Sequence, residues 1–122
     1  MKEYYGTKRI QAEPKSMPNE VGDDSPQESG YTVVYPDGYV SWSPKEAFEA
    51  AYRESGHMNF GHALAALKEG RKVCRALWLG ASDFGYLFLF PGPVLSLVQD
   101  KVETIWEGWH EDLLAEDWCV VE

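Results

Sequence analysis

Tryptophan is the residue type this chain uses beyond what packing alone requires. Five occur in 122 residues, and four of them, Trp78, Trp106, Trp109 and Trp118, follow residue 77. Trp118 opens an apolar run with Cys119 and Val120, which marks it for a core. Trp78, expected at a strand end, and Trp106 and Trp109, on either side of Gly108, suit a cavity rim, where an indole can stack on a base or sugar. The competing reading makes them packed core aromatics. Arg75 and the carboxylates Asp83 and Asp112 are the polar candidates beside them. A carboxylate accepts hydrogen bonds from ribose hydroxyls or adenine amino groups, while backbone N–H groups and bases face phosphates. Arg75 precedes Trp78 by three residues, on the opposite face of an ideal strand, so it reaches the same ligand only across a subunit boundary or through a bulge. The expected ligand is a nucleotide or a similar molecule with a flat base and phosphates.

Other chemistries lack their residues. His57, His62 and His110 have no partner at a metal-ligand spacing, so neither a metal nor another cofactor is expected. Gly80 to Gly85 lacks the Lys-Ser/Thr ending of a P-loop and leads into a strand. Ser82 lacks the glycine placement of a nucleophile elbow. The acidic pairs Glu111-Asp112 and Glu116-Asp117 flank a short helical turn, where carboxylates usually cap or face water. No catalytic residue is assigned.

The elements that must hold these side chains come from one small chain. Its 20 acids against 11 bases give a net charge of −9, which argues against duplex nucleic acid as a partner. Both halves are acidic, yet Lys68, Arg71, Lys72 and Arg75 fall within eight residues and could favour a small anion. Apolar runs such as Tyr86 to Phe90 are far short of the about 20 residues a membrane span needs, and Met1 to Tyr5 lacks a signal peptide's apolar region. A cytosolic protein is expected, with Cys74 and Cys119 as reduced core residues.

From Glu13 to Gly30, prolines, glycines and polar turn formers predict a linker-like stretch, preceded by a short strand or anchor over Tyr4 to Ile10. Tyr31 to Tyr35 and Tyr39 to Trp42, joined by Pro36-Asp37-Gly38, predict a β-hairpin over 31–42. Ser43-Pro44-Lys45-Glu46 reads as a capping box opening a helix over 44–54, closed by Gly56. A second helix follows Asn59, with Phe60, Ala63, Leu64 and Leu67 on one face and Gly70 beyond its end. Alternation predicts a strand from Arg71 to Trp78, then a strand over Tyr86 to Phe90 ended by Pro91-Gly92-Pro93. Val94 to Val98 with Val102 to Trp106 reads as a second hairpin, Glu107 to Glu116 as a helical turn, and Trp118 to Val121 as a last strand. The sum is an α+β fold: a small, mostly antiparallel sheet with two short helices.

The run from Met58-Asn59-Phe60-Gly61-His62-Ala63-Leu64 through Gly70-Arg71-Lys72-Val73-Cys74-Arg75, with Trp78, Gly80, Tyr86 to Leu89, Pro91-Gly92 and the closing Asp112-Leu113-Leu114-Ala115-Glu116-Asp117-Trp118, resembles the Thoeris anti-defence 2 family of phage proteins. The resemblance covers 58–122. It implies a phage protein in the cytoplasm of the infected bacterial host that sequesters a cyclic ADP-ribose signal without cleaving it. The pockets would be aromatic-lined and lie at subunit interfaces of a homo-oligomer, a tetramer, with cyclic oligonucleotides held at a separate site in some relatives. It places Trp78 and Trp106 in the pocket. Between Trp106 and Asp112 the family commonly shows small polar residues, where this chain has Glu107-Gly108-Trp109-His110-Glu111.

Residues 1–57 lie outside that domain. Gly6-Thr7-Lys8-Arg9-Ile10, Tyr35-Pro36-Asp37-Gly38-Tyr39 and Ser41-Trp42-Ser43-Pro44-Lys45-Glu46 are similar to an amino-terminal module found on assorted phage proteins. The resulting expectation is a sponge for an immune signal rather than an enzyme. A nucleotide-signal hydrolase and an adaptor that binds a host protein are the alternatives.

Overall fold

The hairpin predicted over 31–42 forms, and a third strand joins its outer edge. A computed structural model describes residues 1–16, 29–80 and 85–122, and the chain divides into two compact units, Met1–Tyr52 and Arg53–Glu122. In the first, β1 (Gln11–Pro14), β2 (Gly30–Val34) and β3 (Val40–Pro44) make an antiparallel sheet in that order. Gly38, at φ 89°, supplies the left-handed residue of the Pro36–Gly38 turn. The helix α1 (Lys45–Ala51) is fastened by Phe48, whose ring stacks on Tyr31 at 4.0 Å, and by Glu49, whose carboxylate accepts from the Tyr31 hydroxyl at 2.6 Å. Gly30 has no room for a side chain. A Cβ there would lie 2.4 Å from the Trp42 ring and from the Ser43 carbonyl.

Three expectations for this unit are corrected. The strand over Tyr4 to Ile10 does not form; β1 lies at 11–14, just after it, and its last two residues fall in the stretch assigned from Glu13 onward to a linker. An edge strand takes its hydrogen bonds from its neighbour, so its own composition says little, and Pro14 is tolerated there. The helix starts one residue later, because Pro44 still pairs with Gly30 in the sheet, and no side chain caps it. It ends at Ala51 rather than Glu54, since Tyr52 adopts extended backbone and stacks on Phe48 at 5.1 Å. The rest of the expected linker, residues 17–28, lies outside the described residues.

In the second unit, α2 (Phe60–Lys68) begins where Asn59 predicted. The Asn59 side chain accepts from His62 N at 3.0 Å, and Asn59 N donates to His62 Nδ1 at 3.3 Å, so this histidine serves a capping box. Gly70, at φ 84°, lies just past the helix end. The five strands β4 (Lys72–Arg75), β5 (Gly85–Phe90), β6 (Val94–Gln99), β7 (Val102–Ile105) and β8 (Trp118–Val121) form one antiparallel sheet in the order β7-β6-β5-β4-β8. The β6–β7 turn is a two-residue one, with Asp100 and Lys101 both at positive φ as a type I′ turn demands.

The helix lies across β4, β5 and β8. Ala63, Ala66 and Leu67 from α2 meet Val73, Leu87 and Trp118 from the sheet in the core. Trp118 is its hub, wholly buried, as its place in the last strand predicted. Its ring meets Phe60, Trp78 and Trp106 edge-on at 5.2, 5.4 and 6.1 Å, and its indole N–H donates to the Asp112 carbonyl at 2.8 Å. Cys74 and Cys119 face each other across β4 and β8 as buried free thiols, their Sγ atoms 3.4 Å apart. Burial, then the contact with Cys119, pushes the Cys74 thiol up to about 12.

The α+β class is borne out, and the described residues hold eight strands and three short helices. One strand stops early. Extended backbone ends at Arg75, and Ala76–Gly80 wind into a 3₁₀ turn, because Asp117 draws the chain back: its carbonyl accepts from Ala76 N at 2.9 Å and its carboxylate from Leu77 N at 3.1 Å. Trp78 is therefore carried on a turn, and the face rule used to separate it from Arg75 does not apply. The helical turn expected over 107–116 contracts to α3 (His110–Leu113). Among the described residues, no helix is long and apolar enough to cross a membrane.

Candidate functional site

At one end of the second unit's sheet, four pieces of chain surround a cavity of about 510 Å³, within the ~300–1,000 Å³ typical of small-molecule sites. The 3₁₀ turn contributes Leu77 and Trp78, β5 and β6 contribute Gly85, Leu97 and Gln99, and α3 contributes Asp112. The end of β7 and the loop after it supply Ile105, Trp106, Glu107 and Trp109. Sheet register explains part of this set. Pairing places Gly85 opposite Gln99 and Leu87 opposite Leu97, so Gly85, Leu97 and Gln99 lie on the face that also carries the core residue Leu87. Gly108 lets the loop close, since a Cβ there would lie 3.1–3.2 Å from the Leu113 side chain and the Trp106 ring.

The tryptophans hold their places differently. Trp78 and Trp106 are half-buried, with the hub Trp118 edge-on to each, so each has one side in the core and another at the cavity. Trp109 is 68% exposed. Aromatic planes of this kind offer stacking surface for a flat ring.

An ionic brace fixes the cavity's far wall. Arg75 donates from Nε to Asp117 at 2.8 Å and from Nη1 to Asp112 at 2.9 Å, with only 15% of the arginine side chain exposed. Asp112 is thus tied at its carboxylate by Arg75 and at its carbonyl by Trp118. The hydrogen bond that Arg75 donates to Asp117 raises its guanidinium further above its already high ordinary value, against the opposing effect of burial, and the one it donates to Asp112 adds to the rise. Burial pushes the Asp117 carboxyl up, but hydrogen bonds from Arg75 and Leu77 outweigh it and hold the group below its ordinary range.

The arrangement can stack a flat ring and accept hydrogen bonds at Gln99, Glu107 and Asp112, and among the described residues its lining has no Lys, Arg or His. Of the residues expected from sequence, Trp78, Trp106, Trp109 and Asp112 come together here. Arg75 is not in the lining and stands behind the wall, tied to two carboxylates. Asp83 lies outside the described residues. Lys68, Arg71 and Lys72 do not line the cavity either; the Lys72 ammonium sits over the Tyr86 ring, 4.9 Å from its centroid. Sequence reasoning missed Gln99, Glu107 and the bracing Asp117. The alternation along β6 was the available signal for Gln99, and nothing local marks Asp117, whose partners lie about 40 residues earlier.

The family described as the Thoeris anti-defense 2-like domain (Tad2-like) matches residues 58–121, which contain the whole cavity. The chain is also 33% identical over 84 residues to the protein "Thoeris anti-defense 2" of Bacillus phage SP01, an alignment spanning 52% of this chain and 94% of that one. No solved structure matches the chain.

Proposed function

This chain belongs to the Thoeris anti-defense 2-like family, and on that premise we propose that it is a phage anti-defence protein that binds an immune signal in the Trp78–Trp106–Trp109 cavity and withholds it uncleaved. It acts in the cytoplasm of the infected bacterial host. The ligand is a cyclic nucleotide-derived signal, glycocyclic ADP-ribose first, with cyclic oligonucleotides as further ligands. The observation that carries the reading is the three-indole cavity inside the matched region. Trp78 and Trp106 take the base or ribose between them, Trp109 covers it from the loop, and Asp112, with Asp83, accepts from its hydroxyl or amino groups. Arg75 serves the ligand by holding Asp112 in place.

A sponge must compete at low signal concentration, which calls for roughly nanomolar affinity, near −12 kcal/mol. That affinity needs near-complete enclosure and neutralised phosphates. The described residues of one chain supply neither: Trp109 is largely exposed, and among them the lining carries Glu107 and Asp112 and no cation. Both gaps support a homo-oligomer, a tetramer by family resemblance, in which a second subunit closes the pocket and brings positive charge.

The test is calorimetry of the intact chain against cyclic ADP-ribose isomers and cyclic di- and trinucleotides, followed by heat denaturation and chromatography of the released ligand. Tight binding with intact ligand recovered is the expected result. Linearised or hydrolysed product would put a hydrolase in its place, and no binding across the panel would favour an adaptor that docks on a host protein.

A further inference from the structure

Asp117 stands outside the cavity's lining, yet two separate pieces of the cavity wall are fastened to it. The first is the 3₁₀ turn. The Asp117 carbonyl accepts from Ala76 N at 2.9 Å and its Oδ2 from Leu77 N at 3.1 Å, so the two residues before Trp78 are tied at their amides. The second is α3. Asp117 Oδ1 accepts from Arg75 Nε at 2.8 Å, and the same guanidinium donates from Nη1 to Asp112 Oδ1 at 2.9 Å. One carboxylate therefore spends one oxygen on the turn that carries Trp78 and the other on the arginine that reaches Asp112. The relay is stiff, because the guanidinium presents its donors in a fixed planar fork and keeps its charge.

The capture at Leu77 also decides the side of the sheet on which Trp78 lies. Arg75 pairs with the core residue Trp118 and shares its face, while Cys74 and Cys119 pair on the other. Were β4 to run on as an extended strand, alternation would put Trp78 on the Cys74 face, away from the core. A short 3₁₀ turn has poor hydrogen bonds of its own, so an outside acceptor is needed to hold it against that extended alternative. With the turn held, the indole meets Trp118 edge-on at 5.4 Å and lines the cavity. We propose that Asp117 is a positioning residue for ligand recognition: its carboxylate turns the Trp78 indole to the cavity side of the sheet and, through Arg75, holds Asp112 in the same cavity. The recognition half of this rests on the cavity being the ligand site; the placement of Trp78 does not.

The test therefore has an arm without ligand. The intact chain is labelled with fluorotryptophan, its Trp78 resonance is assigned with Trp78→Phe, and Asp117→Asn, Asp117→Ala, Arg75→Lys and Leu67→Val are compared in the cold, with circular dichroism reporting the fold. Leu67→Val is a core truncation on α2, outside the brace. In both Asp117 variants the Trp78 resonance should move toward that of the free amino acid and gain a heavy-water isotope shift, while Leu67→Val leaves it in place. Should Asp117→Ala fail to fold, Asp117→Asn alone decides. A Trp78 resonance unchanged in the folded Asp117 variants, or displaced equally by Leu67→Val, overturns the placement. The second arm is titration calorimetry with glycocyclic ADP-ribose. Asp117→Asn should bind about tenfold or more weakly, the worth of one stacking partner. Arg75→Lys, whose single ammonium cannot fork to both carboxylates, should lose affinity with the Trp78 resonance kept. Asp117→Asn binding as tightly as the wild-type chain with Trp78 displaced overturns the role in recognition, and Arg75→Lys binding as tightly overturns the relay to Asp112. A wild-type chain that binds no glycocyclic ADP-ribose overturns the ligand reading and the recognition half together, and the fluorine arm still decides whether Asp117 seats Trp78.

Discussion

Replacing Asp117 with Asn should destabilise the second unit, and by an amount that depends on pH. The wild-type carboxylate accepts from Arg75 Nε at 2.8 Å and from Leu77 N at 3.1 Å. An asparagine keeps one acceptor oxygen, turns an NH₂ toward one of the two donors, and leaves Arg75 with Asp112 as its one anionic partner. Hydrogen bonds to a charged group contribute about 1.5–3 kcal/mol, and with Asp117 31% and Arg75 15% exposed, partial screening places the loss near 2 kcal/mol. For a domain of this length each kcal/mol moves the melting temperature by about 4–8 °C, so the variant should melt roughly 8–16 °C lower at pH 7. The sign of the pH dependence follows from the direction of the shift. The folded-state pKa of Asp117 is depressed, so its contribution is complete above the unfolded value of 3.8 and is lost as pH falls through the lower folded value. Asparagine has no such dependence. The gap between the two melting curves should therefore be widest at pH 6–7 and narrow as pH falls below the unfolded value and on through the lower folded one. Differential scanning calorimetry across that range reads it directly. Melting temperatures within about 2 °C of each other at pH 7, or a gap as wide at pH 2.5 as at pH 7, would refute the brace.

Trp109→Ala should weaken ligand binding by about 1–3 kcal/mol of lost stacking while leaving the melting temperature within about 2 °C, because the ring is largely exposed; titration calorimetry beside a thermal melt separates the two. Trp118→Ala should melt far earlier, at a cost of about 3–5 kcal/mol, since it removes the buried hub, and an unchanged melt would mean that core and rim have been exchanged. Cys74 should resist alkylation in the folded protein at pH 8, since burial leaves little thiolate and little access; iodoacetamide labelling read by mass spectrometry should proceed only on unfolding. Gly30→Ala should destabilise the first unit by about 1–3 kcal/mol, because its Cβ would meet the Trp42 ring at 2.4 Å; a shifted Trp42 signal in the folded state and an earlier melt are expected.

What could be read from residues alone was whatever local chemistry decides. Asn59 and Gly70 bracket α2 because a cap and a left-handed exit are properties of a few neighbouring residues. The β6–β7 hairpin follows from a short turn between alternating runs, and Trp118 was assignable to the core from the apolar strand it opens. Features fixed by distant partners were illegible. β1 exists because β2 offers it a free edge, and Trp78 sits on a 3₁₀ turn because an aspartate about 40 residues later captures the amide before it. The same cause misdirected the expectation for Arg75: its type and its place beside Trp78 suggested an anion contact, while its two anionic partners come from α3 and the chain leading into β8. Three of the cavity's indoles were legible by type, and their convergence was not.

Because Trp78 and Trp106 meet the hub residue on one side and line the cavity on the other, the proposed binding surface and the folding core share residues. A phage lineage pressed to follow a changing host signal could not redraw those two walls without also unsettling the fold, so most of its viable variants should arise where the cavity is lined but the core is untouched. Glu107 and Trp109, exposed on the loop after β7, are among those positions. Adaptation would then tune the loop's chemistry while the indole frame stays fixed, and relatives that differ in ligand should differ first between Trp106 and Asp112.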